Sequence, residues 1–276
     1  MVKQFAGHIS VTHVICLAGL LPFGIWLLKT SLGRNALVDS VPRRNNMRPF
    51  TPFVLLFIWF GAVAIAISLT EKVLPDLPDW QNAFLKNLIL CIGAIAAMVV
   101  IISLVKNHFA RRLKGFGLNP RTIHRDLPAA IVNLLSVMPL LMAMLILTAF
   151  FGKLIWGQDF HIPQHEELEM ITAHPQLPLR VLIIVTTIAI VPVFEEMLFR
   201  GLFQTVVRSF VISPWLSILI SSGLFTLIHG DAGHWPALFV LAVCLGYAYE
   251  KSGSLFRPIF IHALFNASST ISVLYQ

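Results

Sequence analysis

Leu85–Val105 reads LKNLILCIGAIAAMVVIISLV, 21 residues with Lys86 as its one charge. At 1.5 Å per residue a helix of this length covers about 30 Å, the thickness of a bilayer's hydrocarbon core. A helix is the form such a run takes in lipid, because it satisfies every backbone group within one segment. Seven further apolar stretches flank it: Ile9–Leu28, Pro52–Thr70, Ala129–Phe151, Leu179–Phe194, Pro214–His229, Pro236–Tyr249 and Phe256–Leu274. The expected fold is all-α, a polytopic membrane helix bundle of about eight transmembrane helices. Leu202–Ile212 carries Arg208 and either continues the fifth helix or lies along the interface; continuation is preferred.

The whole chain agrees with this reading. Of 276 residues, 57% are hydrophobic and 12% charged, with a mean hydropathy of +0.81. A soluble domain has about 25% charged residues, so this chain lacks the charged shell of a cytosolic enzyme. It is also too apolar for a disordered chain. Cys16, Cys91 and Cys244 each lie inside an apolar stretch, with no Cys-x-x-Cys spacing, and read as small buried hydrophobes. The first apolar run is nearer 20 residues than the about 7–15 of a signal peptide, and reads as the first span.

Net charge is +7 and the pI about 9.7. On a soluble chain that would suggest nucleic acid; here the basic residues sit between spans, where they set topology, and no nucleic-acid partner is expected. With the N-terminus outside, 15 of the 20 basic residues fall on the inside. These include Arg43, Arg44 and Arg48 in the first loop, Arg111, Arg112 and Lys114 in the second, Arg200 and Arg208 in the third, and Lys251 and Arg257 in the last. Eight of the 13 acids fall outside. Both termini are therefore expected outside an integral membrane protein. Short loops with no extra domain fit a bacterial cytoplasmic membrane. The longest outside loop, Gly152–Pro178, is rich in Pro and reads as a cap. Its His161, His165, Glu166 and Glu169 fit no standard metal spacing and read as a solvated acidic surface.

Ionisable groups in hydrocarbon cost about 2.5–3.5 kcal/mol each on insertion scales, so they ask for a partner or a role. Three clusters occupy the second half. In Val193-Phe194-Glu195-Glu196-Met197-Leu198-Phe199-Arg200-Gly201, Glu196 and Arg200 stand four apart, share a helix face and can pair. Glu195 points about 100° away, without that partner. A carboxylate with little water and no cation suits a general base. In Phe225-Thr226-Leu227-Ile228-His229-Gly230, Phe225 and His229 share a face; in His262-Ala263-Leu264-Phe265-Asn266, His262 and Asn266 do. Each cluster alone reads as readily as helix–helix hydrogen bonding. Together they place a carboxylate pair, two imidazoles and an amide on three helices, a set able to activate water and hold an oxyanion.

Glu195-Glu196-x-x-x-Arg200, Phe225-x-x-x-His229 and His262-x-x-x-Asn266 resemble, in order, the three motifs of the CAAX protease and bacteriocin-processing (CPBP) family of intramembrane proteases, which includes the type II CAAX prenyl endopeptidases. The flanks Phe199-Arg200-Gly201 and Tyr249-Glu250-Lys251-Ser252-Gly253-Ser254-Leu255 look similar as well. The resemblance covers roughly Leu179 to Leu274. It divides one continuous membrane domain into residues 1–178, with four spans and the outside loop, and catalytic helices over 179–276. It implies an endopeptidase acting on a membrane-associated, lipidated or precursor peptide, with the bilayer as its other partner. Carried over, Glu195 and His229 activate the water, His262 and Asn266 hold the oxyanion, and Glu196, Arg200 and Phe225 support the site or engage substrate. No cofactor is favoured. Zinc on Glu195, His229 and His262 is the alternative, although the His-Glu-x-x-His spacing is absent. Two other readings stay open: a non-catalytic binding, immunity or scaffold protein of the same fold, and a proton-coupled transporter.

The fifth and sixth helices set a condition on this site. Glu195 and His229 meet only if the fifth helix runs past Arg200 or the sixth is tilted or broken.

Overall fold

The computed structural model describes residues 11–163, 166–229 and 232–274. Ile9 and Ser10, where the first span was expected to begin, lie outside this set, as does His165. Among the described residues there are ten helices: α1 Val11–Lys29, α2 Thr51–Val73, α3 Asp79–His108, α4 Arg112–Phe116, α5 Ile123–Trp156, α6 Glu166–Ala173, α7 Leu177–Phe210, α8 Pro214–Leu227, α9 Trp235–Ser252 and α10 Phe256–Leu274. They contain no strand; one antiparallel bridge joins Asn45 and Phe109. The molecule is an all-α membrane helix bundle.

Each expected span coincides with a helix. Four of them, α2, α3, α5 with its short lead-in from Pro120, and α7, are long and apolar enough to cross a bilayer. The others are shorter or more polar. α8 has 14 residues, about 21 Å of helix, short of the about 30 Å core.

The outer surface is apolar, and much of the polarity is inside. Leu17, Leu21, Phe57, Ile58, Ile146 and Leu154 are all well exposed, whereas Glu196, Arg200, Gln204, Ser222 and His262 are buried. That inversion suits a lipid solvent. α5 packs on α1, α9 and α10, and α7 runs through the centre against α3, α8 and α10.

α7 is continuous from Leu177 to Phe210, so the preferred long fifth helix is what the structure shows. Arg200 and Arg208, expected in an inside loop, are instead buried on this helix. The loop after α5 also starts later than expected: α5 continues through Gly152 to Trp156 and stops at Gly157, whose φ of +99° favours glycine. Between Gly157 and Leu177 the loop forms α6.

α7 is not a uniform α-helix. It widens into π turns at Thr186–Ile190 and Met197–Gln204. Pro192 explains the first. It carries no N–H and its ring clashes with the carbonyl four residues back. The Val191 N–H accordingly reaches Thr186 O, five residues back. Thr187 O then loses its α-helical donor, and its π-helical donor would be Pro192, which has none.

In the second π turn, Gly201 lies where a side chain has no room. A Cβ there would fall 2.1 Å from the Phe116 ring tip, and that ring is fully buried. Gly201→Ala is expected to destabilise the fold by about 1–3 kcal/mol, as overpacking does. Unfolding of the purified protein in detergent measures it; an unchanged midpoint would show that Phe116 yields.

Candidate active site

The two π turns bracket one α-helical turn, Val191–Glu196, and Glu195 and Glu196 sit at its end. Adjacent residues on a helix project about 100° apart, and the two carboxylates do different things. Glu196 is fully buried, and its Oε1 accepts from Arg200 Nη1 at 2.8 Å. The same oxygen lies 3.0 Å from His262 Nδ1. Glu195 is partly exposed on the wall of a cavity of about 590 Å³. Its Oε1 is 3.9 Å from His229 Nε2 and its Oε2 is 3.8 Å from His262 Nε2.

His229 lies just past the end of α8, which is why a short helix and a long one bring it to Glu195. Its Nδ1 is 2.6 Å from Phe225 O, and Trp235 Nε1 donates to His229 O at 2.7 Å. A carbonyl only accepts, so Nδ1 carries the hydrogen and, in the neutral ring, Nε2 presents its lone pair. The Phe225 ring packs beside His229 at 4.3 Å between centroids and edge-on to His262 at 6.0 Å. Arg200 lies over the same ring, 4.5 Å from its centroid. Phe225 thus spaces both imidazoles and covers the buried cation.

Asn266 Nδ2 donates to Thr187 O at 2.9 Å. The carbonyl released by Pro192 is therefore satisfied by the third motif, which joins α10 to the π turn of α7 and holds the amide plane. Glu195, His229, His262, Asn266 and Phe225 all line the cavity, while Glu196 and Arg200 stand behind His262. The remaining wall is largely apolar and includes Trp59, Leu90 and Phe194. Leu168 of α6 and His234, just before α9, also reach it, and His234 Nε2 sits 2.8 Å from Pro163 O.

Behind the cavity runs a polar seam that the sequence reading missed. Arg200 Nη2 donates to Ala242 O, Gln204 Nε2 to Gly246 O, and Arg208 Nε pairs with Glu250 at 3.1 Å. Both helices advance four residues per contact. The spacing of Arg200, Gln204 and Arg208 was the available signal.

Zinc holds its ligands at about 2.0–2.2 Å, so neighbouring donors stand about 3.3–3.5 Å apart in a tetrahedron. Glu195 and the two imidazoles are wider than that, and His262 Nδ1 already faces Glu196. Among the described residues no three His, Cys, Asp or Glu side chains are grouped to hold a metal.

Residues 177–268 match the family model for type II CAAX prenyl endopeptidase Rce1-like proteins. The likeness is confined to that segment, about a third of the chain. The match begins at the first residue of α7 and ends within α10, so it takes in all three motifs. An uncharacterized 24.3 kDa protein of Escherichia coli is 28% identical over 117 residues, 41% of this chain and 54% of that protein. The chain thus spans about half the length of this curated relative. No solved structure matches the chain.

Proposed function

We propose that the chain is an intramembrane endopeptidase that hydrolyses a peptide bond of a membrane-associated substrate. The observation that carries this is the Glu195 carboxylate set between two imidazoles from different helices, at 3.9 and 3.8 Å, on a cavity wall. The 3.9 Å gap to His229 is too long for a direct hydrogen bond and suits one water donating to both groups. Glu195 takes the water's proton as the oxygen attacks the carbonyl, and His229 aligns that water. Glu195 then gives the proton to the amide nitrogen as the C–N bond breaks, releasing an acid and an amine and restoring the carboxylate. The second N–H of Asn266, and His262 Nε2 when the ring carries both hydrogens, stabilise the oxyanion. Glu196 and Arg200 position His262, as an orienting carboxylate does in other acid–base sites. The chemistry uses these side chains without a metal.

The proposal extends to placement. Eight crossings with both termini outside keep the basic loops on one side, apart from Arg200 and Arg208, which belong to α7. A bacterial cytoplasmic membrane and a lipidated or precursor peptide substrate complete the reading.

The test compares the termini of membrane and secreted peptides in cells carrying the chain or its Glu195→Ala variant. Mass spectrometry should find a set of new termini with the intact chain alone. These should persist when purified protein and peptide are treated with a chelator. No change of termini would remove the protease reading and favour a binding or immunity role. Loss of cleavage on chelation, restored by zinc, would overturn the metal-free mechanism.

A further inference from the structure

A second cavity, of about 660 Å³, opens at the end of the bundle where α3 finishes, α4 lies and α9 stops. Arg43, Arg44, Arg111, Lys114 and Lys251 line it, against the acids Asp39 and Glu250. Glu250 is already engaged: Arg208 pairs with it at 3.1 Å and Arg43 at 3.6 Å. Among the described residues, Arg44, Arg111, Lys114 and Lys251 enter no salt bridge, and all four are exposed. The basin therefore keeps an excess of positive charge.

Topology alone asks that basic residues lie on one side of the membrane. It does not ask that three separate loops bring them into one concavity, where like charges repel. Here the backbone enforces that convergence. The Ala110 N–H donates to Arg44 O and the Asn46 N–H to His108 O, each at 3.1 Å, tying the first loop to the second. The Leu255 N–H donates to Gly117 O at 3.0 Å, tying the second to the last. Arg43 is fixed by donation to Tyr249 O at 2.9 Å, its guanidinium 3.5 Å over the Tyr249 ring. Gathered cations call for an anion rich in acceptor oxygens.

We propose that this basin binds a phosphate-bearing anion through Arg44, Arg111, Lys114 and Lys251. Its place at the ends of membrane helices, with Val38 and Val41 strongly exposed at its edge, suits the headgroup of an anionic phospholipid. Basic pockets at such positions hold lipid phosphates. Free phosphate shares the chemistry.

Native mass spectrometry of the full chain in neutral detergent tests this, titrating phosphatidylglycerol and phosphatidylcholine. The variant Arg44→Gln/Arg111→Gln/Lys114→Gln/Lys251→Gln should bind phosphatidylglycerol at least about tenfold more weakly, since about 1.4 kcal/mol corresponds to tenfold. Phosphatidylcholine binding should not change. Arg111→Gln/Lys114→Gln should show a smaller loss in the same direction and serves if the fourfold variant folds poorly. Failure of millimolar inorganic phosphate to compete identifies the lipid as the source; competition identifies free phosphate. Equal phosphatidylglycerol binding by wild type and both variants would overturn the site. The readout is binding, so its failure is separate from any failure of the protease reading.

Discussion

Glu195→Gln is expected to lower kcat for the cleaved peptide by about 10²–10⁴-fold, the range in which a positioned general base contributes. The substitution keeps size and hydrogen-bonding ability but removes the ability to take a proton. Glu195 lies on the cavity wall rather than in the packed core, so the fold should tolerate the change, and an unaltered unfolding midpoint checks that. His229→Ala should lose activity as well. The two losses should combine to far less than their product, because both side chains act on one water, and groups acting as a unit are non-additive. A rate assay on the two single variants and the double variant measures this directly. Multiplicative losses would show that the 3.9 Å approach of Glu195 to His229 is incidental. Wild-type turnover by Glu195→Gln would remove Glu195 from the chemistry. A binding protein of the same fold would behave differently again, capturing peptide equally with Glu or Gln and cutting it with neither.

The parts of this site that were legible in sequence are those with a local period. Glu196 and Arg200, Phe225 and His229, and His262 and Asn266 stand four apart, and four apart on a helix means one face. The spans were legible because lipid demands long apolar helices. What escaped depends on partners far away in the chain. Arg208 looked like a loop cation because a basic residue after an apolar run marks a membrane boundary; its partner Glu250 is 42 residues on, on another helix. Pro192 was visible, but its consequence was not. The freed Thr187 carbonyl could point anywhere until α10 brought Asn266 to it. The depth of His229 also depended on α8 ending at Leu227, which no period announces. Where a proline shifts the hydrogen-bond ladder, the rotation of every later residue changes, and face assignments made from a 3.6-residue period lose their footing.

Arg200→Met is expected to cost the fold about 3–5 kcal/mol, the usual effect of removing one partner of a buried ion pair. The reason is the position of Glu196. Its Oε1 holds both Arg200 and His262, its Oε2 has no hydrogen-bond partner, and no part of it reaches solvent. With the guanidinium gone, a carboxylate remains beside one imidazole in a low-dielectric interior. The Ala242 carbonyl also loses its side-chain donor, and Phe225 loses the cation on its face. Glu196→Gln should be milder for stability, because the amide oxygen can still accept from Arg200, which also keeps the Ala242 carbonyl and the Phe225 ring as partners. The double variant Glu196→Gln/Arg200→Met, which buries no charge, should recover much of the loss, since isosteric replacement of a buried pair is often near neutral. Activity should not follow that recovery. His262 would keep its place in the bundle but lose the carboxylate that orients it, so the double variant should be stable and slow, with kcat lowered more than KM is raised. Unfolding in detergent and steady-state rates on the same preparations separate the two effects. If stability and activity return together, Glu196 and Arg200 serve packing alone. If stability returns and activity does not, the pair is part of the machinery that aims His262 at the cavity.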